Sequence, residues 1–250
     1  MVSLWGKKHA RIAVDDVLEM EEMSEARTRP QAPLSVDRVQ RGTMQDDVYR
    51  QAKELILNGE LAPGQSITIQ WLADAFGVSA MPVREAILRL TAERALTVVA
   101  GRSLGIPLLT RERLADLTRT RLAIEALAVS WAVPHADPEL LARLQALIIE
   151  MDNIKPDQQA RKVYLRANRE FHFSLYRASG SDSMLGIIEN LWLQISPYFN
   201  LLQKRGNFIV SNRHHRALAA ALRARSSNEV ALALQADISD AASALEQMLS

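Results

Sequence analysis

Apolar residues return at helical spacing in two short neighbouring stretches, Ile69, Leu72, Ala73 and Phe76, then Val83, Ala86, Ile87 and Leu90. Each set is one buried stripe of a short amphipathic helix. Between them Gly77 supplies a turn and Ser79 an N-cap. Pro82 is tolerated in the first turn, where a missing N–H has no intrahelical partner. Two short helices joined by a glycine-containing turn predict a helix-turn-helix, whose second helix fits a DNA major groove. A longer helix, about Val48 to Asn58, precedes a chain reversal at Leu61 to Gly64. After Glu93, the β-forming runs Leu96 to Ala100 and Ile106 to Leu109 flank a glycine-bounded loop, which predicts a two-stranded wing.

From Arg111 onward the pattern is helical, with no strand signal. Thr110 is the N-cap of a first long helix whose inner side is predicted to carry Leu114, Leu117, Arg121, Ile124, Ala128 and Trp131. Pro134 and Asp137-Pro138 end it and open the next helix, to about Ile154. Lys155-Pro156-Asp157 is a break, and the following helix holds Asn168 and His172. Met184 to about Lys204 comes next, with Pro197 expected to kink or split it. Asn212 to Arg225 and Glu229 to Leu249 complete an antiparallel helical bundle. The fold class is therefore mostly α, a winged helix-turn-helix over 44–109 followed by an all-helical part over 110–250. Residues 1–43 have mixed charge, two X-Pro pairs and little apolar periodicity, and are expected to be a flexible arm in which Met20 and Met23, or Met44 beyond it, are alternative starts.

On these residues the chain resembles the GntR family of bacterial transcription regulators. The matching stretches are ILNGELAPG (56–64), LADAFGVSAMPVREAILRLTAE (72–93) and the wing glycine Gly105. The second half resembles the FCD effector domain of the FadR-like branch. Arg121-Leu-Ala-Ile-Glu125, Asn168-Arg-Glu-Phe-His172 and His215-Arg-Ala-Leu218 carry that likeness. The resemblance implies a homodimeric regulator, a repressor, bound to a palindromic double-stranded DNA operator and modulated by a small carboxylate in the helical part. One departure stands out: relatives carry arginine after the serine, in a VSR-x-PVRE pattern, where this chain has Ala80.

Charge alters this picture. The chain carries a net +1, and within Met44 to Leu109 six basic residues face seven acidic ones, a balance of −1. DNA binding must then come from placed side chains and not from a general basic field. Arg84, off the apolar stripe of the second helix, is positioned for guanine O6 and N7, or else is a solvated helical arginine. Ser79 serves as cap, phosphate contact or both. Arg102 in the wing and Gln70 at the start of the preceding helix are further contact candidates, and Ala80 marks the missing guanidinium.

In the helical half, the resemblance aligns Asn168, His172, His215 and Asp237 with an Asp, His, His, His set that holds a divalent metal. Two imidazoles, a carboxylate and an amide oxygen suit Zn²⁺, Ni²⁺ or Mn²⁺ with positions open for a ligand. The alternative is a pair of satisfied core histidines without metal. His214 is expected to point elsewhere, while His9 and His135 are expected at the surface. Arg121 and Glu125, one turn apart, are either an intrahelical ion pair or an arginine held for an effector carboxylate.

Zero cysteines exclude disulfides, thiolate metal sites and cysteine nucleophiles. No apolar run approaches membrane-spanning length and no secretory h-region is visible, so a cytoplasmic protein with no membrane partner is expected. A metal-dependent enzyme fused to a DNA-binding module is the rival reading, set back by the lack of an HExxH-type motif or a phosphate-cradling glycine loop. A regulator with a degenerate, metal-free pocket is the third.

Overall fold

The computed structural model describes residues 44–99, 103–154, 160–202 and 208–249. The predicted arm over 1–43, His9 in it, Arg102 and the break at 155–157 lie outside the described residues. The N-terminal part begins with α1 (Met44–Leu57), which buries Val48, Ala52 and Ile56. Next comes α2 (Ile69–Phe76), opened by the Thr68 hydroxyl accepting from the Trp71 N–H at 3.1 Å. It is closed by Gly77 in the left-handed region at φ 66°, a conformation that costs glycine no Cβ clash. The second helix of the pair, α3 (Ala80–Ala92), buries Pro82, Val83, Ala86, Ile87 and Leu90. Ser79 stands at its N-cap position, but its side chain makes no capping bond. The helix-turn-helix is thus present, and the cap that the sequence suggested is not made.

The wing has one strand more than its sequence pattern suggests. Thr97–Val98 (β2) and Leu104–Gly105 (β3) pair antiparallel, and Ser66–Ile67 (β1), ahead of α2, adds to the other edge of β3 in the order β1-β3-β2. Gly105 is required by this closeness, since a Cβ there would lie 2.1 Å from the Gln65 carbonyl oxygen. Two-residue strands give no alternation for a sequence reading to detect.

Among the described residues six α-helices follow: α4 (Arg111–Ala132), α5 (Pro138–Asp152), α6 (Ala160–Arg177), α7 (Asp182–Leu202), α8 (Phe208–Arg223) and α9 (Ser227–Glu246). Thr110, Asp137 and Ser226 cap α4, α5 and α9 by accepting from backbone N–H groups three residues on. Two expectations are corrected. The inner stripe of α4 is Leu114, Leu117, Arg121, Glu125, Ala128 and Ala132, while Trp131 is 45% exposed and Ile124 only partly buried. The predicted stripe advanced 3.5 residues per turn, and a straight helix at 3.6 rotates away from it by about 20° per heptad. Nor does Pro197 split α7, which stays helical to Leu202 because Leu193, Ile195 and Tyr198 on both sides of the proline are buried. Tertiary packing holds the helix despite the lost backbone bond.

Candidate functional site

Among the described residues, chemistry-bearing side chains collect on the outer face of α3 and in a cavity inside the bundle. On α3, Ser79, Arg84 and Glu85 are exposed and Ala80 is half-buried. Arg84 makes no ion pair or hydrogen bond with any described residue. Arg89, one turn further on, is committed: it donates to Asp46 at 3.0 Å and its guanidinium lies 3.7 Å from the Tyr49 ring centre. Gln70 on α2 is likewise occupied, donating to Asp74 at 2.8 Å.

The cavity, about 300 Å³, is lined by Arg121, Asn168, His172, Trp192, Phe199 and Asp237 among others. Arg121 and Trp192 on its wall belong to a buried polar chain. The Arg121 Nε and Nη2 donate to the two carboxylate oxygens of Glu125 at 2.6 and 3.2 Å, and both residues are almost fully buried. The same carboxylate accepts from the Tyr176 hydroxyl at 2.5 Å and from the Trp192 indole N–H at 3.3 Å. Trp192 and Phe199 also place their rings 5.4 and 5.7 Å from the guanidinium carbon. Arg121–Glu125 is therefore no surface pair worth a few tenths of a kcal/mol. It is a desolvated charge pair whose arginine also lines the cavity.

His172, His215 and Asp237, from α6, α8 and α9, bring donor atoms to within 4.8 Å of one another. The Nε2 atoms of the two histidines are 3.2 Å apart, and His172 Nε2 is 3.3 Å from Asp237 Oδ2. The other nitrogen of each histidine has a partner of its own. The Tyr176 hydroxyl, which donates to Glu125, has its oxygen 3.4 Å from His172 Nδ1. Asn212, which donates through Nδ2 to Asp152 at 2.5 Å, places its Oδ1 3.1 Å from His215 Nδ1. The two Nε2 atoms and the Asp237 carboxylate are thereby brought together.

Burial drives His215 down to about 3, so it is neutral. Burial alone would raise Asp237, but the His172 hydrogen bond and the neighbouring histidines outweigh it and hold the carboxyl at about 2. A cation or a proton among the three groups would bridge them. The 3.2 and 3.3 Å separations are close to the ~3.3 Å edge of a tetrahedron built on metal–ligand bonds of about 2.0–2.1 Å. The second nitrogen of each histidine is held by a hydrogen bond, as metal-ligating imidazoles require. The set therefore fits a divalent metal. Asn168 lines the same cavity one helical turn before His172.

His214 corrects an expectation. It also lines the cavity, 2.7 Å from Asp240 Oδ2 through its Nε2. Adjacent helical residues diverge by 100°, yet Asp237 and Asp240, both on α9, lie near His215 and His214 respectively. His135 is exposed as expected. Sequence reading also missed Tyr176, although its spacing of four from His172 and eight from Asn168 placed it on their face. Trp192 and Phe199, seven apart on an apolar helix, carried no signal distinguishing a cavity wall from plain core.

The helix α7 joins the two regions, which belong to one compact unit over Gly42–Ser250. While Trp192 and Phe199 face the cavity, Asn190 Nδ2 donates to the Glu93 carbonyl at the end of α3 at 3.2 Å and Asn200 Nδ2 to the Gly59 carbonyl at 2.6 Å. Arg113 of α4 bridges the Arg94 carbonyl, at 3.0 Å, and Gln194 Oε1, at 3.3 Å. The Tyr198 hydroxyl donates to the Pro107 carbonyl at 2.8 Å.

Comparison with known proteins fits this architecture. Residues 44–106 match the family model for bacterial regulatory proteins of the gntR family, and residues 116–240 match the FCD domain. The chain is a GntR-family transcription regulator with an FCD domain. It is 30% identical over 181 residues to the HTH-type transcriptional regulator McbR of Escherichia coli, covering 71% of this chain and 81% of McbR. The solved structure of E. coli McbR superposes with a TM-score of 0.75 at 27% identity, over 84% of this chain and all of that one. The HTH-type transcriptional repressor GlaR of E. coli is 26% identical over 187 residues, 72% of this chain and 85% of GlaR. Membership of the GntR family, whose matched relatives are named as regulators, sets the enzyme reading aside. Among the described residues no helix is long and apolar enough to cross a membrane.

Proposed function

We propose that this GntR-family chain is a ligand-responsive repressor acting as a homodimer in the cytoplasm. Each protomer reads one half of a palindromic operator with the winged part over 44–109, and the helical part over 110–250 senses a small carboxylate and pairs the protomers. Arg84 contacts a guanine and Ser79 a phosphate. His172, His215 and Asp237, with the Asn168 amide oxygen beside them, would hold a divalent metal, which when bound would supply a Lewis-acidic anchor. Arg121 binds the ligand carboxylate, and Trp192 and Phe199 supply the aromatic walls that exclude water. Exposed Leu127 and Trp131 on α4 and Leu232 on α9 support a partner surface between copies.

The observation that carries this reading is α7, one rigid element that walls the cavity and holds the C-terminal end of the recognition helix. A ligand that moves Trp192 or Phe199 changes the seat of α3. Gel retention of genomic fragments, with and without a panel of small carboxylic acids and divalent metal, tests it. Selective retention that an acid weakens supports the proposal, and no selective retention under any condition overturns it.

The metal-free reading retains one specific support: a proton on His172 Nε2 would also bridge to Asp237. Thermal melting separates the two. With metal, Zn²⁺ or Ni²⁺ at about a hundredfold over its dissociation constant stabilises the fold by about 2.7 kcal/mol. His172→Ala with His215→Ala abolishes that shift, and a shift that persists in the double variant rejects the site.

A further inference from the structure

The start of the recognition helix is apolar where a DNA-reading surface ordinarily carries hydrogen-bonding groups. Ala80 and Met81 are the first two residues of α3, and Met81 has 62% of its surface exposed. Arg84 follows three residues later on the same outward side, exposed and uncommitted. The opposite side is pinned by Pro82, Val83, Ala86, Ile87 and Leu90, so the helix cannot rotate to bring Met81 into the core. In helix-turn-helix proteins the N-terminal residues of this helix reach the base edges. The major groove offers one apolar group to meet them, the C5-methyl of thymine. An unbranched, polarisable thioether adapts its shape to such a methyl better than a stiff side chain does.

Resting on the DNA-reading function proposed above, we infer that Met81, backed by Ala80, recognises a thymine methyl beside the guanine that Arg84 reads. The operator half-site of this chain thus contains a thymine–guanine neighbourhood. The contact replaces, with apolar burial, the guanidinium that Ala80 does not supply. It is independent of salt, in keeping with a winged part whose charge balance is −1.

The test uses the full-length protein to enrich binding duplexes from a randomised pool, followed by base replacement in the enriched site. Thymine next to guanine is expected in each half-site. Replacing that thymine by deoxyuridine, which lacks only the methyl, is expected to weaken binding about fourfold, one methyl's worth of apolar burial. Met81→Ala protein is expected to keep the guanine preference and bind thymine and deoxyuridine duplexes alike. Met81→Gln, similar in length but polar at its end, serves as a second variant should the first melt early. Deoxyuridine replacement without effect on the parent protein overturns the inference. So does methyl discrimination that survives in the variants, or loss of dimer on replacing Met81, which would assign the side chain to a protein contact. A pool from which no duplex is enriched overturns the DNA-reading function itself, an outcome distinct from enrichment without methyl dependence.

Discussion

Glu125 accepts four hydrogen bonds from three different side chains, and none of them has water to fall back on. Removing it strands a buried guanidinium along with the Tyr176 hydroxyl and the Trp192 indole N–H. Glu125→Ala is therefore expected to cost about 3–5 kcal/mol, read by urea unfolding. A loss under about 1 kcal/mol would show that the pair is solvated, as exposed pairs are. Arg84 behaves oppositely, because nothing in the fold depends on it. Arg84→Ala is expected to leave the melting temperature unchanged and weaken specific DNA binding by about 1–3 kcal/mol, with relaxed base preference. Unchanged operator affinity in gel retention would remove Arg84 from the reading surface.

Among the elements, the wing shows how a missing side chain permits a third strand. Gly105 pairs with Ser66 on one side and Thr97 on the other, with the Gln65 carbonyl pressed into the space a Cβ would need. Gly105→Ala is expected to destabilise the fold by about 1–3 kcal/mol through overpacking, with faster amide exchange at Ile67 and Leu104. Unchanged protection at both amides would refute the close approach. The apolar pattern revealed α2 and α3 nearly to the residue, because each is short and amphipathic and the left-handed Gly77 separates them. It misjudged the inner side of α4, because a stripe written at heptad spacing rotates off a straight helix, and buried Glu125 looks polar to any such count. Asn168, His172 and Asp237 do line one cavity. His214, set aside as pointing elsewhere, lines it too, since only the position of α9 reveals the carboxylate that receives it.

Across the whole molecule, α7 is the element that touches both the cavity and the end of the recognition helix. Asn190 and Gln194 bond each other at 2.8 Å and link to the end of the recognition helix through the Glu93 carbonyl and Arg113. Asn190→Ala with Gln194→Ala is expected to leave operator affinity without ligand nearly intact while shrinking the ligand effect. The coupling expected in the parent protein is about 1–3 kcal/mol, or roughly 5–150-fold in affinity. A full ligand response in the double variant, measured by fluorescence anisotropy on a labelled operator, would move the coupling to another path.

Local order along the chain was enough to establish a winged helix-turn-helix followed by helices, and resemblance to a family nominated His172 and His215. Caps, turns and apolar periods are short-range physics, written in neighbouring residues. Packing alone decided the meeting of those histidines with Asp237, the burial of Arg121 and the double duty of α7. Each of these depends on groups far apart in sequence that desolvate and bond one another only once the helices are docked.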